Sequence, residues 1–114
     1  MSKQKCILLS IHPHHAKNIF DGSKTIELRR TKPPVNTGDI VVVYASSPTM
    51  ATIGEFTVKK ILRAAPHTLW EKIKNSAGIS RAVYRDYFDG STTAYGIVIG
   101  KATCYKRQVA LRNI

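Results

Sequence analysis

The fold is decided by residues 40–62, which read IVVVYASSPTMATIGEFTVKKIL. Residues 40–45 form an apolar run typical of a buried strand, and the turn-forming residues 46–48 end it. A longer strand is predicted over residues 50–62. The connection between the two strands is too short for a parallel crossover, which needs a dozen or more residues. This stretch favours a small mixed barrel over a doubly wound parallel sheet.

The longer strand contains one glycine, Gly54, within its apolar pattern. A bulge at this position would let Ile53, Phe56 and Val58 share one side of the sheet although their spacing breaks strict alternation. Because a bulge bends a strand, it also favours closure of the sheet.

Upstream of this stretch, residues 6–11 are nearly all apolar and predict a central strand covered on both faces. Pro13 suits the first turn of a helix over residues 13–21, and Gly22 suits its left-handed cap. One central strand and a short helix therefore open the chain.

Residues 24–30 alternate between apolar and polar side chains and predict a strand. Ile26 and Leu28 lie on one face of it. Thr25, Glu27 and Arg29 lie on the other. One face should therefore pack in the core while the other presents charge.

Downstream of residue 62, Pro66 opens a second helix and Ser80 caps a third. The apolar positions of these two helices are Leu69, Trp70 and Ile73, and then Val83, Tyr84, Tyr87 and Phe88. Residues 92–99 and 103–109 predict two closing strands joined at Gly100-Lys101. We predict a single α+β domain over residues 1–114, a small mixed pseudo-barrel with about three short helices.

The net charge and the apolar content of the chain limit the kinds of partner it can have. The chain has 114 residues and a formal net charge of +11, which suggests an anionic partner. The acid-free residues 101–114 are either a basic arm or a solvated strand. No apolar run is long enough to cross a membrane and the start lacks a signal sequence, so we expect a cytoplasmic protein that does not bind membranes.

Metal and cofactor chemistry find little support in the sequence. Cys6 and Cys104 lack the spacing of metal ligands, and we expect two buried, reduced thiols. His12, His14 and His15 cluster at a helix start without nearby cysteine or a suitable carboxylate set. His12 either caps this helix or donates a hydrogen bond to a ligand there. We expect no metal and no cofactor.

The most informative stretch for function is residues 22–30, where the acidic Glu27 lies between the basic residues Lys24 and Arg29. Glu27 and Arg29 share a strand face, so they either grip the edge of a nucleobase or form a surface ion pair worth roughly 0–1 kcal/mol. The neighbouring cations should lower the pKa of Glu27, which would make it a poor base near neutral pH.

These residues resemble the signature of a known family. The pattern Gly22-x-Lys24-x-x-Glu27-x-Arg29 looks like that of the ASCH domains, the activating signal cointegrator homology domains, whose fold is PUA-like. Further landmarks are Leu8-Leu9-Ser10-Ile11-His12-Pro13, Ile19-Phe20-Asp21-Gly22, Gly38-Asp39, Tyr44-Ala45-Ser46-Ser47-Pro48, Gly54-Glu55-Phe56 and Ala94-Tyr95-Gly96-Ile97. The resemblance covers about residues 6–102.

The resemblance implies a cleft that binds RNA or nucleotides and is lined by Lys24, Glu27 and Arg29. Strict strand alternation would place Lys24 on the face opposite Glu27, so this grouping requires strand twist or an irregular start at residues 23–25. Ser46 and Ser47 would then lie across the cleft, where their hydroxyl and backbone groups suit phosphate or sugar contacts, or they serve only the turn.

One branch similar to this family hydrolyses acetylated cytidine with a lysine, a threonine and a glutamate. The threonine position of that branch, three residues after the lysine, is Glu27 in this chain. Residues 75–78, where the glutamate is expected, contain no carboxylate. We therefore expect no amidase activity of this kind and assign no catalytic residue.

A basic rim is expected to contact the backbone of the ligand. Arg81 and Arg85 would be its exposed members on the third helix, while the tyrosines of that helix belong to the core. The remaining candidates of the rim are Lys17 and Arg30.

We predict a nucleic-acid-binding module, for RNA more than for DNA, with an unpaired base in the cleft. A small hydrolase or nuclease is the alternative, with Lys24 as electrostatic stabiliser and Glu27 as general acid or base. A protein-interaction domain is a third possibility, and a protein partner remains open.

Overall fold

The computed structural model describes residues 3–110, which form five strands and three helices. In chain order these are β1 (Cys6–Ile11), α1 (Pro13–Phe20), β2 (Ile26–Arg29), β3 (Ile40–Ala45), β4 (Ala51–Ala64), α2 (Pro66–Ile73), α3 (Arg81–Tyr87) and β5 (Ala94–Ala110). The strands make one mixed sheet in the order β1-β3-β4-β5-β2. β1 and β3 run parallel, and the other neighbouring strands are antiparallel. The predicted α+β class is confirmed, with the sheet curled into a half-barrel.

The irregularity predicted at Gly54 is present. The pairing of β4 with β5 shifts register between Thr52 and Gly54. A Cβ at Gly54 would lie 2.5 Å from Phe20 Cζ and 2.6 Å from the carbonyl oxygen of Thr103, so only glycine fits between α1 and β5. Ile53 packs against the same core cluster as Phe56 and Val58, as expected.

The apolar side chains form two core clusters. One lies between α1 and β1, β3, β4 and β5, and it includes Ile19, Val41, Val43, Phe56 and Ile97. The other joins β2 to α2 and α3 and includes Leu28, Leu69, Trp70, Tyr84 and Phe88. Because β2 contributes to the second cluster, the two short helices hold this strand at the far edge of the sheet.

Local signals position the helices as predicted. The Nδ1 atom of His12 accepts a hydrogen bond from the amide of His14 at 3.1 Å, and thereby caps α1. The Ser80 hydroxyl accepts from the amide of Val83 at 3.2 Å and caps α3. Gly22, after α1, has a φ of +87°, the left-handed conformation expected of it.

Two predictions about strands are wrong. β1 is an edge strand and not a central one, and Leu8 on its outer face is 44% exposed. The predicted turn at Gly100-Lys101 lies inside β5, which is continuous from Ala94 to Ala110. β4 explains this continuity, because its length offers pairing partners along most of β5.

Both cysteines are exposed, which corrects the prediction that they are buried. Cys6 lies on the outer face of the edge strand, and Cys104 lies beyond the part of β5 that β2 covers. Of the basic C-terminal stretch, residues 101–110 are the last half of β5, and residues 111–114, with Arg112, lie outside the described residues.

Candidate functional site

A cleft of about 230 Å³ opens between the two edge strands of the half-barrel, β1 and β2. α3 and the residues before it form its third wall. The polar side chains that line it are Ser10, His12, His15, Lys24, Glu27, Arg29 and Tyr87. The cleft thus gathers three of the residues that the sequence motif singled out.

Lys24 enters the cleft from a position just before β2. Its side chain is only 3% exposed, and Nζ donates a hydrogen bond to the carbonyl oxygen of Ala77 at 2.9 Å. Burial lowers the pKa of Lys24, and the nearby Glu27 carboxylate opposes this shift. Lys24 is therefore a desolvated amine held in place by one carbonyl.

Lys24 and Glu27 both line this cleft, so the irregular start that the motif grouping requires before β2 is present. β2 begins only at Ile26, and the amide of Lys24 donates to the carbonyl oxygen of Asn18 at 2.9 Å. The amide of Thr25 donates to Ser76 at 3.1 Å. Because the amides of both residues bond outside the sheet, strict strand alternation does not hold before Ile26.

Glu27 and Arg29 form a partly buried ion pair. The Arg29 Nη2 atom lies 3.2 Å from Glu27 Oε2, and it also donates to the carbonyl oxygen of Ser10 at 3.0 Å. Glu27 is 7% exposed, so the interpretation as a surface pair is wrong. The pair is fixed at the point where β1 and β2 come together.

Burial raises the pKa of Glu27, and the opposing effects of Arg29 and Lys24 are smaller. The predicted lowering is therefore wrong, because the loss of hydration of this carboxylate outweighs its two neighbouring cations. A buried carboxyl with a raised pKa is better suited to exchange a proton near neutral pH than an exposed one.

Two buried polar atoms of the cleft residues lack a hydrogen-bond partner among the described residues, His15 Nδ1 and Arg29 Nε. Burial lowers the pKa of His15, and Lys24, His14 and His12 lower it further. A buried polar atom without a partner costs about 1–3 kcal/mol, so such atoms are uncommon in folded proteins. Both residues line the cleft.

The chain matches the ASCH domain family over residues 9–106. It belongs to the ASCH domain family. This range agrees with the extent of the resemblance noted in the sequence, and the half-barrel is the PUA-like fold that the resemblance implied.

Individual relatives agree with the family. The chain is 32% identical over 96 residues to an ASCH domain-containing ribonuclease of Zymomonas mobilis, which covers 84% of this chain and 65% of that protein. It is 30% identical over 100 residues to a large ribosomal subunit protein uL22 of Ureaplasma parvum, covering 88% of this chain but 32% of that one. The chain thus spans less than two thirds of the length of these relatives.

A crystal structure of ASCH from Zymomonas mobilis superimposes with a TM-score of 0.90 at 30% sequence identity. The superposition covers 97% of this chain and 77% of that one. The fold of this ASCH domain is therefore the same as that of a solved relative along nearly its whole length.

The other predicted site residues of this ASCH domain are distributed around the cleft. His12 both caps α1 and lines the cleft. Arg30 lies against the ring of Tyr87, with its guanidinium carbon 4.7 Å from the ring centroid. The cleft is not lined by Lys17, Ser46 or Ser47. The amide of Ser46 donates a hydrogen bond to the carbonyl oxygen of Ile11 at 3.0 Å, as part of a turn.

Arg81 and Arg85 lie on a different side of α3 from the cleft, in a second groove. The two arginines line this second groove together, apart from the motif residues Lys24, Glu27 and Arg29 in the cleft. They remain exposed, as the sequence predicted.

Among the polar lining residues, the sequence did not single out Ser10, His15 and Tyr87 as site residues. Tyr87 was assigned to the core, yet it is half-buried and its hydroxyl donates to the carbonyl oxygen of Leu28 at 3.2 Å. Its spacing of four from Val83, which also lines the cleft, was the available signal.

Within residues 3–110 no group of three or more His, Cys, Asp or Glu side chains could hold a metal ion. No helix in this part of the chain is long and apolar enough to cross a membrane.

Proposed function

We propose that this ASCH domain binds single-stranded RNA and holds one nucleotide in the cleft between β1 and β2. The observation behind this proposal is the buried Glu27–Arg29 pair beside Lys24, next to two buried polar atoms without partners. Pockets for drug-sized molecules have volumes of about 300–1,000 Å³. A cleft of about 230 Å³ suits one nucleobase better than anything larger.

The polar groups of the cleft match the edge of a base. The carboxylate of Glu27 accepts hydrogen bonds from an amino group, while Arg29 Nε donates to a carbonyl or phosphate oxygen. His15 Nδ1 offers a further hydrogen-bonding position. Proteins that recognise RNA by sequence commonly take up unpaired bases with such contacts.

The preference for RNA over other anions rests on two supporting facts. A relative that is 32% identical is named a ribonuclease. The net charge of +11 supplies affinity for a polyphosphate backbone, a contribution that salt weakens.

The test is the binding of a labelled single-stranded RNA, measured by fluorescence anisotropy at several salt concentrations. Arg29→Ala should weaken binding about tenfold or more, since the loss of about 1.4 kcal/mol corresponds to a factor of ten. Val83→Glu is the second variant. Val83 is 51% exposed at the cleft wall, so a carboxylate there should repel RNA while the protein still folds.

The matched control is the double variant Lys59→Gln/Lys60→Gln, which removes two exposed positive charges of β4 outside the cleft. It should lose far less affinity than the cleft variants. Binding that is absent in the wild type, or equal in Val83→Glu and the wild type, would refute the proposal.

A second candidate is RNA cleavage in the same cleft, favoured by the opposite pKa shifts of the buried Glu27 and Lys24. Sites that transfer protons often contain such perturbed groups. Glu27 would exchange a proton and Lys24 would stabilise developing negative charge. Time-dependent cleavage of a labelled RNA by the wild type that is lost in an identically purified Glu27→Gln would support it. Equal cleavage by both preparations would reject it.

A further inference from the structure

We propose that a second groove, between α2 and α3, binds the phosphate backbone of the RNA strand whose nucleotide occupies the cleft. This inference rests on the function proposed above. The groove has a volume of about 470 Å³, and the residues that define it here are His67, Arg81, Tyr84, Arg85, Phe88 and Asp89.

The two sites lie on different faces of one short helix. Val83 and Tyr87 of α3 face the cleft, whereas Arg81 and Arg85 face the groove. Because an α-helix has 3.6 residues per turn, each of these pairs is one turn apart and forms one stripe. A helix with its side chains is about 10–12 Å wide, so a strand that passes over the exposed side of α3 can extend from one site to the other.

The charge of the groove is suited to a polyanion. Arg81 and Arg85 carry like charges one turn apart, an arrangement that costs an isolated helix about 0.2–0.5 kcal/mol. Among the described residues, neither guanidinium lies within 4.0 Å of a carboxylate oxygen, although Asp89 also lines the groove. A guanidinium without such a partner can bind phosphate with two parallel hydrogen bonds.

The floor of the groove is rigid and aromatic. The rings of Tyr84 and Phe88 are 4.7 Å apart between centroids, and both residues are buried. The Tyr84 hydroxyl donates to the carbonyl oxygen of Pro66 at 2.7 Å, which ties α3 to the start of α2. The two arginines therefore project from a helix that is packed in place, so binding a ligand there requires little ordering of the protein backbone.

Recognition in the groove should not depend on base identity. The Tyr84 hydroxyl is already engaged with Pro66, so the remaining polar side-chain groups are the two guanidinium groups, the His67 imidazole, the Asp89 carboxylate and the Ser91 hydroxyl. Guanidinium contacts to phosphate fix the position of a strand but carry no sequence information. We therefore assign affinity to the groove and selectivity to the cleft.

The experiment compares RNA of increasing length, from a single nucleotide to an octamer, on the wild type and on Arg81→Gln/Arg85→Gln. The double variant should bind the mononucleotide as the wild type does. It should bind the octamer more weakly, and its plot of log K against log salt should be shallower by about 1.4, since each phosphate contact on a single strand contributes about 0.7. Lys59→Gln/Lys60→Gln again serves as the matched control, with the same change in net charge.

The outcomes separate the two proposals. The groove proposal is overturned if Arg81→Gln/Arg85→Gln binds the octamer as tightly as the wild type does. It is also overturned if this variant loses no more affinity than the lysine control. An equal loss for mononucleotide and octamer also overturns it, because the arginines would then act on the cleft. If instead the wild type does not bind the mononucleotide and Val83→Glu leaves octamer binding unchanged, the cleft proposal fails, while a loss of octamer binding in the arginine variant still supports the groove.

Discussion

The Arg29 guanidinium donates a hydrogen bond through Nη2 to the carbonyl oxygen of Ser10 at 3.0 Å, and so joins the two edge strands of the sheet. β1 and β2 lie at opposite ends of the strand order and do not pair with each other. A side chain therefore spans the gap where backbone pairing stops. The cleft exists because this gap is bridged at one point and is not closed by a ladder of backbone hydrogen bonds.

Replacing Arg29 with lysine should lower the stability of the protein. Lysine keeps the charge but lacks the planar fork, so it cannot bond Ser10 and Glu27 in the same geometry. We expect a loss of about 1–3 kcal/mol in the free energy of unfolding, measured by urea denaturation. The exposed Arg63→Lys on β4 is the control and should change stability by far less. Equal stability of Arg29→Lys and the wild type would show that the bridge between the strands is dispensable.

Replacing Glu27 with glutamine should stabilise the protein near neutral pH. The pKa of Glu27 in the folded protein is raised above its ordinary value of 4.5, so folding favours the protonated carboxyl. The contribution of the protonated Glu27 carboxyl to the free energy of unfolding is fully present below pH 4.5 and is lost as the pH rises through the raised pKa. Glutamine is neutral at every pH and avoids this loss.

The measurement compares the midpoint temperature of thermal unfolding of Glu27→Gln with that of the wild type at a series of pH values from acid to neutral. The advantage of Glu27→Gln should shrink as the pH falls toward 4.5. Glu71→Gln, which removes an exposed carboxylate paired with Lys74, is the control for the substitution itself and should not stabilise the protein at neutral pH. A Glu27→Gln variant that is less stable than the wild type at neutral pH would contradict the assigned direction of the shift.

Gly54→Ala should destabilise the sheet. The new methyl group would collide with the Phe20 ring and with the Thr103 carbonyl oxygen, at 2.5 and 2.6 Å. Overpacking of this kind costs about 1–3 kcal/mol, which thermal denaturation would detect. Adding Phe20→Leu should restore only part of the stability, because the collision with the backbone of β5 remains. Full recovery in the double variant would mean that the ring alone excludes a side chain here.

Tyr84→Phe should cost about 1 kcal/mol of stability, the usual value of one hydrogen bond. It removes the bond from the Tyr84 hydroxyl to Pro66 but keeps the ring that packs on Trp70 and Phe88. Burial raises the pKa of this hydroxyl to about 12, as it does for Tyr105, so ultraviolet titration of the variant should show one late-ionising tyrosine fewer than the wild type. No change in either measurement would argue against the tie between α2 and α3.

Much of the secondary structure could be predicted because its causes lie close together in the chain. Pro13, Pro66 and Ser80 mark helix starts through the chemistry of the first turn, and the apolar spacing that follows each one is local. The short connection after β3 was enough to exclude a parallel crossover. The break in alternation at Gly54 likewise predicted the register shift in β4.

The errors concern relations between distant residues. The apolar run of β1 indicates a strand, but whether a second strand covers its other edge depends on where β2 pairs. The length of β5 follows from β4, which lies about 40 residues earlier in the chain and offers a partner for most of it. A glycine and a lysine that resemble a turn do not end a strand when its neighbour continues.

The sequence by itself determined the elements, the ASCH motif and the basic character of the protein, since these follow from neighbouring residues and from composition. Only the tertiary structure decided how the motif residues meet. Lys24 bonds Ala77, 53 residues away, and Arg29 bonds Ser10, 19 residues away. The raised pKa of Glu27 also follows from tertiary burial, because desolvation depends on all the atoms that surround a carboxyl and not on its two charged neighbours in the chain.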